Sequence, residues 1–294
     1  MRSAKGDEDD VGRTPAPSLL RQQNGPSLKR YAEAKLAARL KRISSTLRRA
    51  AQNPEDPENI HDLRVAIRRF TQALRVFKDL LDGARVRKMR RRLKKIMDLC
   101  GEVRNHDIAL EVLQAAGAPA AGALERRIRK TRSRIASDLS NHLSASRAAK
   151  IREWQDWLRA KAGRAQTIAL TARRVLVPLA AQFFKARAAV AKLESTAEEL
   201  HRFRLTAKRL RYTLEIFGPV AGPLWKERIE QIRGLQEHLG AVNDCVVTRD
   251  LSGRPNAALE RLLRRRVEAF HKYLSSHFLP AVERSWVAEF RKIE

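Results

Sequence analysis

The stretch Ile60–Leu81, IHDLRVAIRRFTQALRVFKDLL, has a second copy at Leu200–Val220, LHRFRLTAKRLRYTLEIFGPV. Aligning His61 with His201 also pairs Arg64 with Arg204, Arg68 with Lys208, Arg69 with Arg209, Leu74 with Leu214 and Phe77 with Phe217. A single offset of 140 residues serves every pair, the mark of an internal repeat.

Laid out at about 100° per residue, each copy reads as an amphipathic helix. In the first, Leu63, Ile67, Phe70, Leu74, Phe77 and Leu81 form an apolar stripe, and His61, Arg64, Arg68 and Arg75 lie opposite with Gln72 close by. In the second, Phe203, Leu210, Leu214 and Phe217 face inward while His201, Arg204, Lys208 and Arg211 line the other face. A basic helix face is ordinarily a solvated one, but solvated faces mix signs to limit self-repulsion. Between His61 and Arg75, and between His201 and Glu215, the only acids are Asp62 and Glu215. Like charges one turn apart destabilise a helix, so two such faces at corresponding places point to an anionic ligand that offsets the cost.

The whole chain carries the same bias. Its 294 residues hold 61 Lys and Arg against 33 Asp and Glu, a net charge of +28. This balance argues for a polyanionic partner: nucleic acid, an acidic membrane surface or a phosphate polymer. At 43% hydrophobic content the chain can bury a substantial core, and its length suits two domains or two halves of one. Two cysteines, Cys100 and Cys245, have no metal-type spacing, and a reducing, cytoplasmic setting is the expectation. The most apolar segment, Val175–Phe184, is too short to span a bilayer and is interrupted by Pro178 and Gln182. Residues 1–26 have an acidic cluster and no apolar core, so they read as a disordered leader and not a signal peptide.

In chain order, a helix is predicted over 27–51, broken by NPEDPEN at Asn53–Asn59, whose acids suit the start of the His61 helix. Asp82-Gly83 reads as the end of that helix. Ala84–Cys100 reads as a strongly basic helix with Val86, Met89, Leu93, Ile96 and Met97 at core spacing. Gly101 is expected to close it, with Asn105-His106-Asp107 capping a short helix through Leu113; Gly240 and Asn243-Asp244 repeat this punctuation before a short helix to Leu251. AAGAPAAGA at Ala115–Ala123 reads as a turn before a closing helix over 124–143. The segment 144–163, with Trp154 and Trp157, connects the halves. A helix over 166–193 with a kink or break at Pro178, a long helix from Asn256 to about Phe278 and a short one from Pro280 complete the chain. No segment reads as a strand. The expected architecture is all-α: two helical bundles, about 27–145 and about 164–294, related by a pseudo-twofold.

HDLRVAIRRFTQALRVF and HRFRLTAKRLRYTLEIF, with the corners GEVRNHD and GAVND, resemble the CHAD domain, the histidine-marked α-helical domain. The resemblance covers roughly residues 27–286 and includes both His-x-x-Arg-x-x-x-(Arg/Lys)-Arg copies in order. It implies a two-bundle helical fold with a basic central surface or pore, binding of inorganic polyphosphate, and association with polyphosphate granules or, in some members, other storage granules. Many members sit behind a CYTH triphosphatase domain; this chain has no Glu-x-Glu-x-Lys motif, so the resemblance implies no triphosphatase activity. Carried residue by residue, the polyphosphate-binding set is His61, Arg64, Arg68 and Arg69 with His201, Arg204, Lys208, Arg209 and Arg211.

The chemistry suits that set. A phosphate chain carries charge on every unit and calls for a row of cations. Arginine's planar fork donates twice to one phosphate, lysine acts as a point charge, and a protonated histidine donates from both nitrogens. Arg69 and Arg209 lie about 80° from the histidine direction, which suits a rim position or pairing with acids elsewhere. Arg75 points correctly, but its counterpart is Glu215.

No zinc spacing, HExxH pair, Gly-rich phosphate loop or nucleophile elbow occurs, and adjacent cations would repel a metal between His61 and His201. Asp98 with Asp107, or Asp244 with Asp250, are better explained by capping and surface pairing than as acid–base pairs. The expectation is a binding protein, not an enzyme, with no cofactor and no metal. Two alternatives remain: nucleic-acid binding through the same faces, with only Tyr212 as a stacking platform, and a storage-granule scaffold contacting polymer through Trp154, Trp157, Phe183 and Phe184.

Overall fold

Among the described residues there are ten α-helices and two single-turn 3-10 helices, and no strand. The computed structural model describes residues 27–117, 121–145, 148–159, 167–191, 195–253 and 255–293, so the leader 1–26 lies outside them. The helices are α1 (Leu28–Gln52), α2 (Pro57–Val76), α3 (Gly83–Ala115), α4 (Ala121–Ala145), α5 (Ala148–Trp157), α6 (Ile168–Ala189), α7 (Ala197–Phe217), α8 (Trp225–Ser252), α9 (Ala257–His277) and α10 (Pro280–Arg291). The 3-10 turns Lys78–Leu80 and Gly218–Val220 follow α2 and α7, so both His helices leave by the same kind of corner.

Side-chain caps set most starts. Asp56 accepts from the Glu58 amide with Pro57 as first helical residue, and Thr196 and Glu199 form a reciprocal capping box at α7. Thr167 caps α6 and Asn256 caps α9. Pro178 lies inside α6, which continues through it.

Three boundaries differ from the sequence expectation. Asp82-Gly83 does not end the His61 helix. Asp82 Oδ1 accepts from the amides of Ala84 and Arg85, at 2.9 and 3.0 Å, and starts α3. Gly101 does not end α3, nor Gly240 α8; each helix runs on without a break. An interior glycine costs only about 1 kcal/mol relative to alanine. Packing on both sides outweighs that, since Cys100, Val103, Leu239 and Val242 are all buried. Asn105, His106 and Asp107 therefore sit inside a helix and cap nothing. Asp107 instead accepts from Arg132 Nε of α4 at 2.9 Å, while Arg132 also bonds Glu55 and the carbonyls of Pro54 and Glu55, tying the α1–α2 loop to α3 and α4.

The apolar stripes are core as expected: Leu63, Ile67, Phe70, Leu74, Phe77 and Leu81, and Phe203, Leu210, Leu214 and Phe217, are all buried. They belong to one continuous cluster that runs from Leu28 in α1 to Ile293 after α10, so the halves share a core. Phe77 and Phe217, equivalent under the offset, meet with ring centroids 6.1 Å apart and Tyr31 of α1 against both. Trp154, Phe183 and Phe184 are buried in this core, and Trp157 is partly covered beneath Lys88 and Arg92. None of the four offers an open apolar platform to a polymer.

Candidate functional site

Helices α2 and α7 cross where their polar stripes meet. Gln72, 6% exposed, donates from Nε2 to Thr213 Oγ1 at 2.9 Å, and Arg69 binds Glu215 through Nε and Nη2 at 2.8 and 3.0 Å. These two contacts sort the arginines. Arg69 turns to the α1 side, against Arg39, Arg42 and Asp62. On the other side Arg68, Arg75, Lys208 and Arg209 open into a cavity of about 590 Å³ whose third wall is α3.

From α3 come Arg87, Arg90, Arg91 and Lys94, which sequence reasoning left out of the site. Their signal was present: positions 87, 90, 91 and 94 share one face of a helix by the same rule that picked out the His stripes. No carboxylate is among the residues lining the cavity. Its floor is apolar, formed by Ile67, Leu93, Met97, Tyr212 and the exposed Leu205.

Deeper in, Arg64, Arg68, Arg204 and Lys208 form one electrostatically coupled cluster. Arg68 and Lys208 have no hydrogen bond or ion pair among the described residues, and the buried Arg204 Nε is unpartnered. Burial, then the neighbouring Arg204, Arg68, Arg64 and Arg211, pushes the Lys208 amine down to about 5. Burial and Arg68 bring Arg64 down to about 10, and burial lowers Arg68 and Arg204 as well. Desolvated cations without counter-ions are costly. Two acids lie nearby: the desolvated Asp244 faces Arg204, and Glu215 lies 3.7 Å from Arg211, whose guanidinium covers the Tyr212 ring at 5.0 Å.

Arg64 is held by a donation from Nη1 to the Met97 carbonyl at 3.2 Å, directly across Gly101. A Cβ at Gly101 would stand 3.0 Å from that nitrogen, which gives the glycine its reason. Nothing crowds Gly240 in the same way.

The two histidines sit at the margins. His61 keeps an accessible edge, but partial desolvation of its ring and then Arg104 shift the imidazole down, with Glu58 opposing. His201 is exposed beside Arg204 at a separate pocket of about 110 Å³ that also includes Asn243 and Val246. Neither lines the cavity between α2, α3 and α7. No group of three His, Cys, Asp or Glu among the described residues is placed to hold a metal ion. Cys100 and Cys245 are buried free thiols, the first pushed up to about 12 by burial.

Two histidine-headed cationic helices, crossed within a continuous helical core, now stand beside the family match. The CHAD domain family matches residues 34–253. This chain belongs to the CHAD domain family.

Among solved structures, the CHAD domain from the plant Ricinus communis is similar at a TM-score of 0.62 and 22% identity, covering 91% of this chain and 93% of the other. PptA from Streptomyces chartreusis is similar at 0.57 and 16% identity, covering 90% and 99%. At these identities the likeness speaks for the fold. No curated protein matches the chain. No helix among the described residues of this CHAD domain is long and apolar enough to cross a membrane.

Proposed function

We propose that this CHAD domain binds inorganic polyphosphate in the cavity between α2, α3 and α7, and that binding the polymer without transforming it is its role. The observation that carries this reading is the cluster of Arg64, Arg68, Arg204 and Lys208. It is desolvated, meets Asp244 beside Arg204 as its one nearby carboxylate among the described residues, and opens into a cavity walled by six further cations and no acid. A flexible anionic chain supplies the missing counter-charge along the whole row, and the arginine forks hold its oxygens in pairs. The family resemblance names the same ligand, and association with polyphosphate granules is the setting it implies.

The shape of the cavity supports this ligand over nucleic acid. A duplex presents its phosphates on a convex surface, whereas these cations line a concavity. Single-strand binding needs stacking platforms, and Tyr212 is only 4% exposed with Arg69 and Arg211 against its ring.

The test compares charge removal inside and outside the cavity. The double variant Arg68→Gln, Arg204→Gln should weaken polyphosphate binding by about tenfold or more, since a hydrogen bond to a charged group is worth roughly 1.5–3 kcal/mol. Arg69→Gln, outside the cavity, should leave affinity nearly unchanged. Equal losses for both would show a generic cationic surface and overturn the assignment.

A further inference from the structure

Lys208 has the features of a nucleophile as well as those of a phosphate contact. Its amine has no hydrogen bond or ion pair among the described residues, and it lines an open cavity. Arg64 and Arg68 face it from α2, Arg204 and Arg211 from its own helix, and Arg87, Arg90, Arg91 and Lys94 share the cavity from α3. With the amine lowered to about 5, it is uncharged at neutral pH and carries a free lone pair. The apolar floor of Ile67, Leu93, Met97, Leu205 and Tyr212 gives nothing to a bare phosphate chain. It suits a small molecule with a phosphate at one end and a short carbon chain at the other.

We propose that Lys208 is an acylation site for small acyl phosphates, with the surrounding arginines holding the phosphate and the apolar floor receiving the acyl group. The Nζ lone pair attacks the carbonyl carbon and the carbon–oxygen bond to phosphate breaks. An N–H proton passes to the departing phosphate, leaving an amide and hydrogen phosphate. The arginines stabilise the leaving dianion and hold it beside the amine, and such positioning is worth orders of magnitude in rate. The amide cannot take up a proton, so acylation removes the one cluster member able to gain charge when a polyanion arrives. The inference rests on the proposed phosphate-binding role of the cluster, and the modification acts as a brake on that role.

Acetyl phosphate is the probe, applied to the full chain at pH 7, with acetylation followed site by site by peptide mass spectrometry. Lys94 is the internal control, because it lines the same cavity but is paired with Asp98 at 2.5 Å. Lys208 should react at least about tenfold faster than Lys94 and exposed lysines such as Lys272, since each unit of lowered pKa raises the neutral fraction about tenfold. The selectivity should shrink with the uncharged reagent N-hydroxysuccinimidyl acetate, which lacks a phosphate to hold. Lys208 reacting no faster than Lys94, or equal selectivity with both reagents, overturns the proposal. Selective acetylation in a chain that fails to bind polyphosphate would sink the proposed function and leave the acylation site standing. Binding without selective acetylation would do the reverse.

Discussion

Lys208 pairs with Arg68 in the repeat, yet lysine and arginine do different work in this cluster. An arginine stays charged in a poor solvent, whereas a lysine gives up its proton. Between its folded value of about 5 and its ordinary 10.5, the unfolded chain holds a proton at Lys208 that the folded chain lacks. Stability therefore rises with pH across that window, and Lys208 penalises the fold most at the acid end. Lys208→Met should flatten the dependence in denaturant unfolding followed from pH 6 to 9, and should raise the melting temperature. A bound phosphate chain brings many negative charges against the cluster and recharges the amine, whereas the single phosphate of a small acyl phosphate, taken up by the arginines, leaves a neutral fraction able to attack. Binding should then take up about one proton near pH 7.5, and affinity should increase as pH falls. Calorimetry in two buffers of different ionisation enthalpy measures this uptake. It should survive in the His61→Gln, His201→Gln variant and vanish in Lys208→Met. His61, held below its ordinary value, adds its own uptake only at lower pH.

At the scale of the helix, what the sequence showed well was periodicity. The apolar stripes of α2 and α7 were legible because a 3.6-residue repeat survives in the letters, and the helix start at Asn256 is a local signal. The continuity of α3 and α8 was not legible, because Gly101 and Gly240 have helix-stop chemistry and only tertiary packing overrides it. Nor could the letters show that Arg69 turns to Glu215 while Arg209 lines the cavity, since a crossing of two helices treats equivalent positions differently. The two glycines give a paired prediction. Gly240→Ala should add about 1 kcal/mol of stability and leave binding alone, because nothing lies within 4 Å of the new methyl group. Gly101→Ala gains the same helix propensity but displaces Arg64, so polyphosphate affinity should fall several-fold while the melting temperature holds. Equal affinities in the two variants would mean that the Arg64 position across α3 is immaterial.

Across the whole molecule, a net charge of +28 guarantees some attraction to any polyanion, so binding by itself says little. The halves share one continuous core, which fixes α2, α3 and α7 around the cavity, and a ligand seated there should stabilise the entire fold. At a free concentration about 100 times its dissociation constant, a ligand adds about 2.7 kcal/mol, a melting shift of several degrees. Short polyphosphates long enough to fill the cavity should give most of that shift, and a longer chain little more.

A salt titration of binding to long-chain polyphosphate, with duplex DNA and RNA as competitors in the same tube, tests the central claim most directly. The cavity account predicts binding that persists near physiological salt and resists excess nucleic acid, because desolvated cations are weakly screened. Binding that collapses with salt and yields equally to DNA would contradict it, leaving the CHAD fold with a generic cationic surface.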